Sequence, residues 1–269
     1  MKAVVTPLAT LTLISLLAAS PVMAGPTDCP EHFANGQAPE VINQKLGSKT
    51  REVCYSGYAI KHSGVTRTPL YAAEHLTRER LVQGKGLKRH NSFHPDENIP
   101  AMERAELRHY SRSGYDRGHI APSADMFDSQ SRYECFSLAN MVPQIPENNR
   151  GPWEAIESNV RKMARERGNL YVVSGPIFQG EHLQQIGGAV MVPTKLFKAV
   201  YDPDTHEAGA YVIENAADAL PQEISITELE KNTGISIFPS LSTRIKSRLM
   251  KLTDVAPHRE RKHKGERNG

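Results

Sequence analysis

From about Asn149 to Arg167, Trp153, Ile156, Val160 and Met163 recur at spacings of three and four, with Arg167 next at the same interval. That period is the apolar stripe of an amphipathic helix. Pro152 fits only in the first turn, where its missing N–H was unpaired anyway, and Gly168 ends the run. Glu154 and Glu157 near the start, with Arg161, Lys162, Arg165 and Arg167 towards the end, complement the helix dipole. This is the one long helix candidate, and short runs rich in aromatic and aliphatic residues surround it: Val53 to Ile60, Pro69 to Leu76, Leu170 to Ser174, Leu196 to Tyr201 and Ala208 to Ile213. Such runs, bounded by turn residues, read as strands. The pattern excludes the regular strand–helix alternation of a doubly wound fold and implies an α+β chain, a mixed, largely antiparallel sheet flanked by helices.

Chemistry concentrates in Asp116-Arg117-Gly118-His119, followed by Ile120-Ala121-Pro122. Arginine grips phosphate oxygens through parallel N–H groups, glycine lets the backbone bend beside a ligand, and histidine exchanges a proton near neutral pH. Downstream lie Asn140-Met141-Val142-Pro143-Gln144 and Asn149-Arg150-Gly151-Pro152-Trp153, with Glu157 one turn further. At about 100° per residue, Asn149, Trp153 and Glu157 fall within an arc of roughly 80° on the expected helix, so one face would carry an amide, an aromatic anchor and a carboxylate.

Arg89, Asp116-Arg117-Gly118-His119, Asn140, Asn149, Gly151, Trp153 and Glu157, in this order and with these gaps, resemble the DNA/RNA non-specific endonucleases, secreted enzymes of the ββα-metal superfamily. The resemblance spans roughly residues 53 to 239. It implies a ββα-metal core and Mg²⁺-dependent hydrolysis of DNA and RNA to 5′-phosphate oligonucleotides, with Mn²⁺ a substitute metal. His119 would be the general base and Asn149 the protein's metal ligand. Glu157 would hold metal-bound waters, Arg117 and Arg89 would contact the phosphate, Asn140 would brace the catalytic loop, and Asp116 would orient its neighbours.

Residues 1–24 read as a secretory signal peptide: Lys2 gives the positive start, Leu8 to Ala19 the apolar run and Val22-Met23-Ala24 the small-residue cleavage site. The apolar run is shorter than the roughly 20 residues that span a bilayer, so export to the periplasm or medium is expected, with no membrane association. In an oxidising compartment Cys29 and Cys54 could pair, although spacing does not fix connectivity. Cys135, in an apolar run, reads as a small buried hydrophobe. Residues 25–256 are expected to form a single domain, and the basic stretch 257–269 a disordered tail.

Formal net charge is +3. Without Lys2 and the tail, whose five basic residues face two acidic ones, the body falls to −1, so nucleic-acid binding must rest on local charge. A zinc protein is disfavoured, because no Cys-x-x-Cys pair occurs and Pro95 breaks the helix that His90 and His94 would need. No Gly-x-Ser-x-Gly elbow supports a serine hydrolase. A binding module without catalysis would need neither His119 nor Asn149. Homodimerisation, an inhibitor partner and a preference between DNA and RNA are left open.

Overall fold

The computed structural model describes residues 27–255; the expected signal segment 1–24 and tail 257–269 lie outside them. A seven-stranded sheet runs in the order Gln222–Ile224, Glu207–Glu214, Lys195–Asp202, Asn169–Ile177, Thr68–Thr77, Ala59–Ser63 and Thr50–Cys54, and every neighbouring pair is antiparallel. The α+β class with an antiparallel sheet is therefore as expected.

Alternation along the strands divides the core into two layers. Ala72, Leu76, Leu170, Val172, Leu196 and Val200 face Trp153, Ile156, Val160 and Met163 of the long helix Pro152–Arg167. On the opposite face Ala73, Val173, Phe197, Ala199 and Tyr201 pack with Ile226 and Leu229 of the helix Ile226–Thr233. With both faces covered, the central strands Thr68–Thr77 and Lys195–Asp202 are almost continuously buried.

Two sequence boundaries shift. The expected strand from Val53 to Ile60 is a hairpin of two strands, Thr50–Cys54 and Ala59–Ser63, because Ser56 and Gly57 turn the chain between them. The long helix begins at Pro152, with Gly151 as its N-cap and Gly168 as its left-handed C-cap at φ 97°. Asn149 belongs to a separate short helix, Pro146–Asn149. Asn149, Trp153 and Glu157 thus do not share one helical face, and Trp153 is buried in the core rather than presented to a ligand. The break follows from Gly151, whose ψ of −107° is not helical.

Cys29 and Cys54 form a disulfide with their Cα atoms 5.9 Å apart, tying the first turn to the edge strand Thr50–Cys54 across 25 residues of chain. Cys135 is buried, and desolvation pushes its thiol up to about 12. Among the described residues no helix is long and apolar enough to cross a membrane.

Closing a loop of this length removes chain entropy from the unfolded state equivalent to about 3 kcal/mol. Replacing Cys29 and Cys54 together with serine should lower the unfolding free energy by about that amount, read from urea denaturation. Thiol labelling of the unfolded, unreduced parent should count one free cysteine; three would contradict the pairing.

Candidate active site

Asp116–His119 and Met141–Gln144 form a two-stranded antiparallel hairpin beside the main sheet, with His119 opposite Met141 and Gly118 opposite Val142. The short helix Ser129–Glu134 lies between the two strands, and after the second the short helix Pro146–Asn149 and then the long helix follow directly. A Cβ on Gly118 would overlap the Gln144 side chain, so only glycine allows the approach. Gln144 donates from Nε2 to Asn148 Oδ1 at 2.8 Å, and Asn148 Nδ2 donates to the carbonyls of Glu214 and Ala216 at 3.0 and 3.3 Å. Asn215 completes the joint. It accepts from the Ile145 N–H at 2.9 Å and donates to the carbonyls of Pro143 and Pro193 at 3.1 and 3.0 Å. Three side-chain amides thus fix the hairpin to the end of the strand Glu207–Glu214.

A cleft of about 630 Å³ opens where the hairpin meets the long helix, lined among others by Arg89, Asp116, Arg117, His119, Asn149 and Glu157. Asn149 Nδ2 donates to Asp116 Oδ2 at 2.9 Å. A carboxylate only accepts, so this bond fixes the amide orientation and leaves Asn149 Oδ1 free. Arg150 clamps the same carboxylate from Nε and Nη2 at 2.8 and 2.6 Å. Partial burial acts to raise the Asp116 pKa, but the bonds from Arg150 and Asn149 prevail and hold it below the ordinary range.

His119 is buried at the edge of an aromatic cluster. Its ring stands perpendicular to Phe136 with centroids 4.9 Å apart and tilts against Phe93 at 5.7 Å. Among the described residues its Nε2 has no hydrogen-bond partner. Desolvation, assisted by the Arg89 charge, pushes its pKa down to about 3, so the imidazole is neutral. The Arg117 guanidinium lies 4.2 Å over the Phe93 ring and that of Arg89 5.6 Å from the Phe136 centroid. Two cations are thereby held beside the histidine by cation–π contact. Asn140 does not line the cleft. It is fully buried behind it, accepting from the Ala121 N–H and donating to the carbonyls of Ala121 and Cys135, all at 2.9 Å, which secures the chain just after His119.

Charged groups also lie under the cleft, on the sheet face that the long helix covers. Glu74 and Lys198 share the strand parity of Ala72 and Leu196 and are fully buried. Lys198 Nζ donates to Ser174 Oγ at 2.7 Å, while among the described residues neither Glu74 oxygen has a hydrogen-bond partner. Burial and the nearby Asp125 charge raise the Glu74 pKa well above normal against the pull of Lys198. Arg161 pairs with Asp125 at 3.0 Å, both buried, rather than with Glu157 one turn away. Among the described residues Glu157 consequently lacks a direct ion pair. Desolvation pushes its pKa up to about 7, opposed by Lys198 and Arg161.

These residues fit a hard divalent cation: a freed amide oxygen and a carboxylate short of positive charge line one cleft. Among the described residues, His90 and His94 join no metal-ligating cluster. The sequence reading missed Phe93, Phe136, Arg150, Asp125, Glu74 and Lys198. Arg150 was signalled by its place beside Asn149, and Glu74 by a charge on the apolar parity of its strand; the phenylalanines carried no signal.

Residues 37–244 match the family model described as DNA/RNA non-specific endonuclease. The chain is 34% identical over 208 residues to "Nuclease EXOG, mitochondrial" of Danio rerio, covering 70% of this chain and 60% of that protein. It is 32% identical over 232 residues to the Homo sapiens protein of the same name, covering 77% and 63%. To "Nuclease 1, mitochondrial" of Schizosaccharomyces pombe it is 34% identical over 209 residues, covering 69% and 65%. The chain thus spans about three-fifths of the length of these relatives. A chain of the crystal structure of the EndoG/EndoGI complex, described as showing the mechanism of EndoG inhibition, superposes with a TM-score of 0.66 at 26% identity, covering 77% of this chain and 95% of that one. These relatives overturn one expectation. Their mitochondrial names point away from an exported protein, periplasmic or secreted. A lysine before an apolar run marks a segment fit for a targeting machinery but does not name the membrane it meets.

The buried imidazole gives a direct pH test. In ligand-free protein, His119 should stay neutral from pH 8 down to about 4 in a side-chain NMR titration, because its pKa lies near 3. Unfolded histidine takes its proton near 6.5, so the His119 contribution to stability is complete above 6.5 and is lost as pH falls towards 3. Glu157 has the opposite sign: its contribution is present below 4.5 and lost as pH rises through about 7. A His119 titration near 6.5 in the folded protein would contradict this environment.

Proposed function

The chain belongs to the DNA/RNA non-specific endonuclease family, and from that premise we propose that it hydrolyses phosphodiester bonds of DNA and RNA with little regard to sequence, leaving 5′-phosphates. The observation that carries the reading is the Asp116–Asn149 bond, which turns an amide oxygen into the cleft beside a neutral, buried histidine and two aromatic-braced arginines. All of this would reside in one domain spanning the described residues.

Hydrolysis requires an activated water, neutralised phosphate charge and a stabilised leaving oxygen. His119 would take the proton from the attacking water. A pKa near 3 makes it a weak base before substrate binds, but a bound phosphodiester adds a negative charge against Arg89 and so raises its basicity. Arg117 and Arg89 would contact the phosphate and its developing charge, their guanidiniums lying against Phe93 and Phe136. Asn149 Oδ1 would hold Mg²⁺, with Glu157 fixing metal-bound waters. When bound, the cation supplies Lewis-acid neutralisation of phosphate and leaving-group charge. Asp116 would set the Asn149 amide, and Asn140 would keep the chain after His119 in place. Phosphate-directed contacts carry no sequence information, which accounts for the low specificity.

Purified protein incubated with plasmid and with structured RNA should cut both with Mg²⁺ and neither with EDTA. His119→Ala should lower turnover by roughly 10²–10⁴-fold, the usual contribution of a positioned general base, and excess metal should not rescue it. Asn149→Ala should also cripple turnover, with partial recovery at high Mg²⁺ or Mn²⁺, since added ligand offsets weakened affinity. A folded His119→Ala protein that cleaves at the parent rate would overturn the assignment.

A further inference from the structure

The catalytic cleft continues, through Asp116 and Arg117 as shared walls, into a second groove of about 620 Å³ formed by the chain from Leu107 to Arg117. Arg108, Arg112 and Arg117 line it, and the single acid among its lining residues, Asp116, is already clamped by Arg150. Arg108 and Arg112 are exposed, and among the described residues neither takes part in an ion pair. Tyr115 lies in the same groove with its hydroxyl donating to Gln184 Oε1 at 2.9 Å, which holds the ring in place.

Arg112 is the telling residue. Its φ of 56° lies in the left-handed region, where glycine sits without strain and a long side chain does not. The turn around it is tied down: Ser113 Oγ donates to the Tyr110 carbonyl at 2.9 Å and accepts from the Tyr115 N–H at 3.2 Å. The fold therefore keeps an arginine where glycine would be easier, although that side chain forms no ion pair within the described protein. Asn35, Lys49, Arg67 and His206 share such a φ among the described residues, and of these five positions Arg112 is the one that lines the groove.

We propose that this groove is a subsite for the strand flanking the cleaved bond, with Arg108 and Arg112 contacting successive backbone phosphates and Tyr115 offering a face to an unpaired base. The proposal rests on the nuclease reading for the identity of the strand. Guanidinium groups match phosphate oxygens in pairs, and an aromatic face beside a basic track is how proteins hold single strands without reading their sequence.

The test compares the parent with Arg112→Gly and with the Arg108→Ala/Arg112→Gly double variant. Binding of a fluorescein-labelled 20-nucleotide single strand is measured by anisotropy in EDTA across a salt series. Hydrolysis of the small diester bis(p-nitrophenyl) phosphate is measured with Mg²⁺. Arg112→Gly should unfold no earlier than the parent, because glycine relieves the backbone, yet bind the strand more weakly. The double variant should bind about 10-fold or more weakly, and its log K against log salt slope should be shallower by about 1.4, two phosphates at about 0.7 each. Its hydrolysis of the small diester, which is too short to reach the groove, should equal the parent's. Unchanged affinity and slope in the double variant would overturn the subsite. If the parent cleaves no substrate, the catalytic reading fails while the binding series still decides the groove.

Discussion

Everything at the cleft depends on one carboxylate. Asp116 stands at the start of the site hairpin and receives Asn149 and Arg150 from the turn before the long helix. That contact joins strand to helix, and it also decides which end of an amide faces inward. Since a carboxylate offers only acceptors, the amide nitrogen is committed to it and the oxygen is left free. The negative charge behind the amide is in turn neutralised by Arg150.

The arginines are handled by a different device. In water a long guanidinium side chain samples many rotamers, and fixing it on binding is costly. Phe93 and Phe136 supply flat faces against which Arg117 and Arg89 rest, while their edges and faces enclose the His119 ring. One aromatic pair thus does two things: it braces the two guanidiniums, and it dries the imidazole so that it stays unprotonated. These effects are coupled, because the Arg89 charge itself contributes to the low pKa of His119.

Those parts of the molecule that repeat along the chain were legible from sequence. The stripe of Trp153, Ile156, Val160 and Met163 gave the helix, and the runs at 170, 196 and 208 gave central strands whose cores match. Asp116, Arg117, His119 and Asn149 do line one cleft, although the two strands that carry the motif and its return were not among those read from the sequence. What could not be read were effects of meeting in space. Gly151 broke the helix early and set Asn149 apart from Glu157 on a separate short helix, a local ψ that no periodicity reveals. Arg161 left its i,i+4 neighbour Glu157 for Asp125, some three dozen residues away in the chain. Glu74 carried only its strand parity as a signal until the sheet placed it opposite the helix. Phe93 and Phe136 lie far apart in sequence and acquire meaning only through the histidine between them.

The joint between hairpin and sheet, made of Gln144, Asn148 and Asn215, uses neutral groups alone, so neither salt nor pH loosens it while both act on the arginine-lined cleft above. That choice also governs how the molecule ages. Side-chain amides are among the heat-labile groups of proteins. Hydrolysis at Asn148 would exchange a donor for a carboxylate directly facing the carbonyls of Glu214 and Ala216. Two acceptors would then confront a third, and the hairpin would be driven from its seat by a chemical lesion in a chain whose main sheet is still intact.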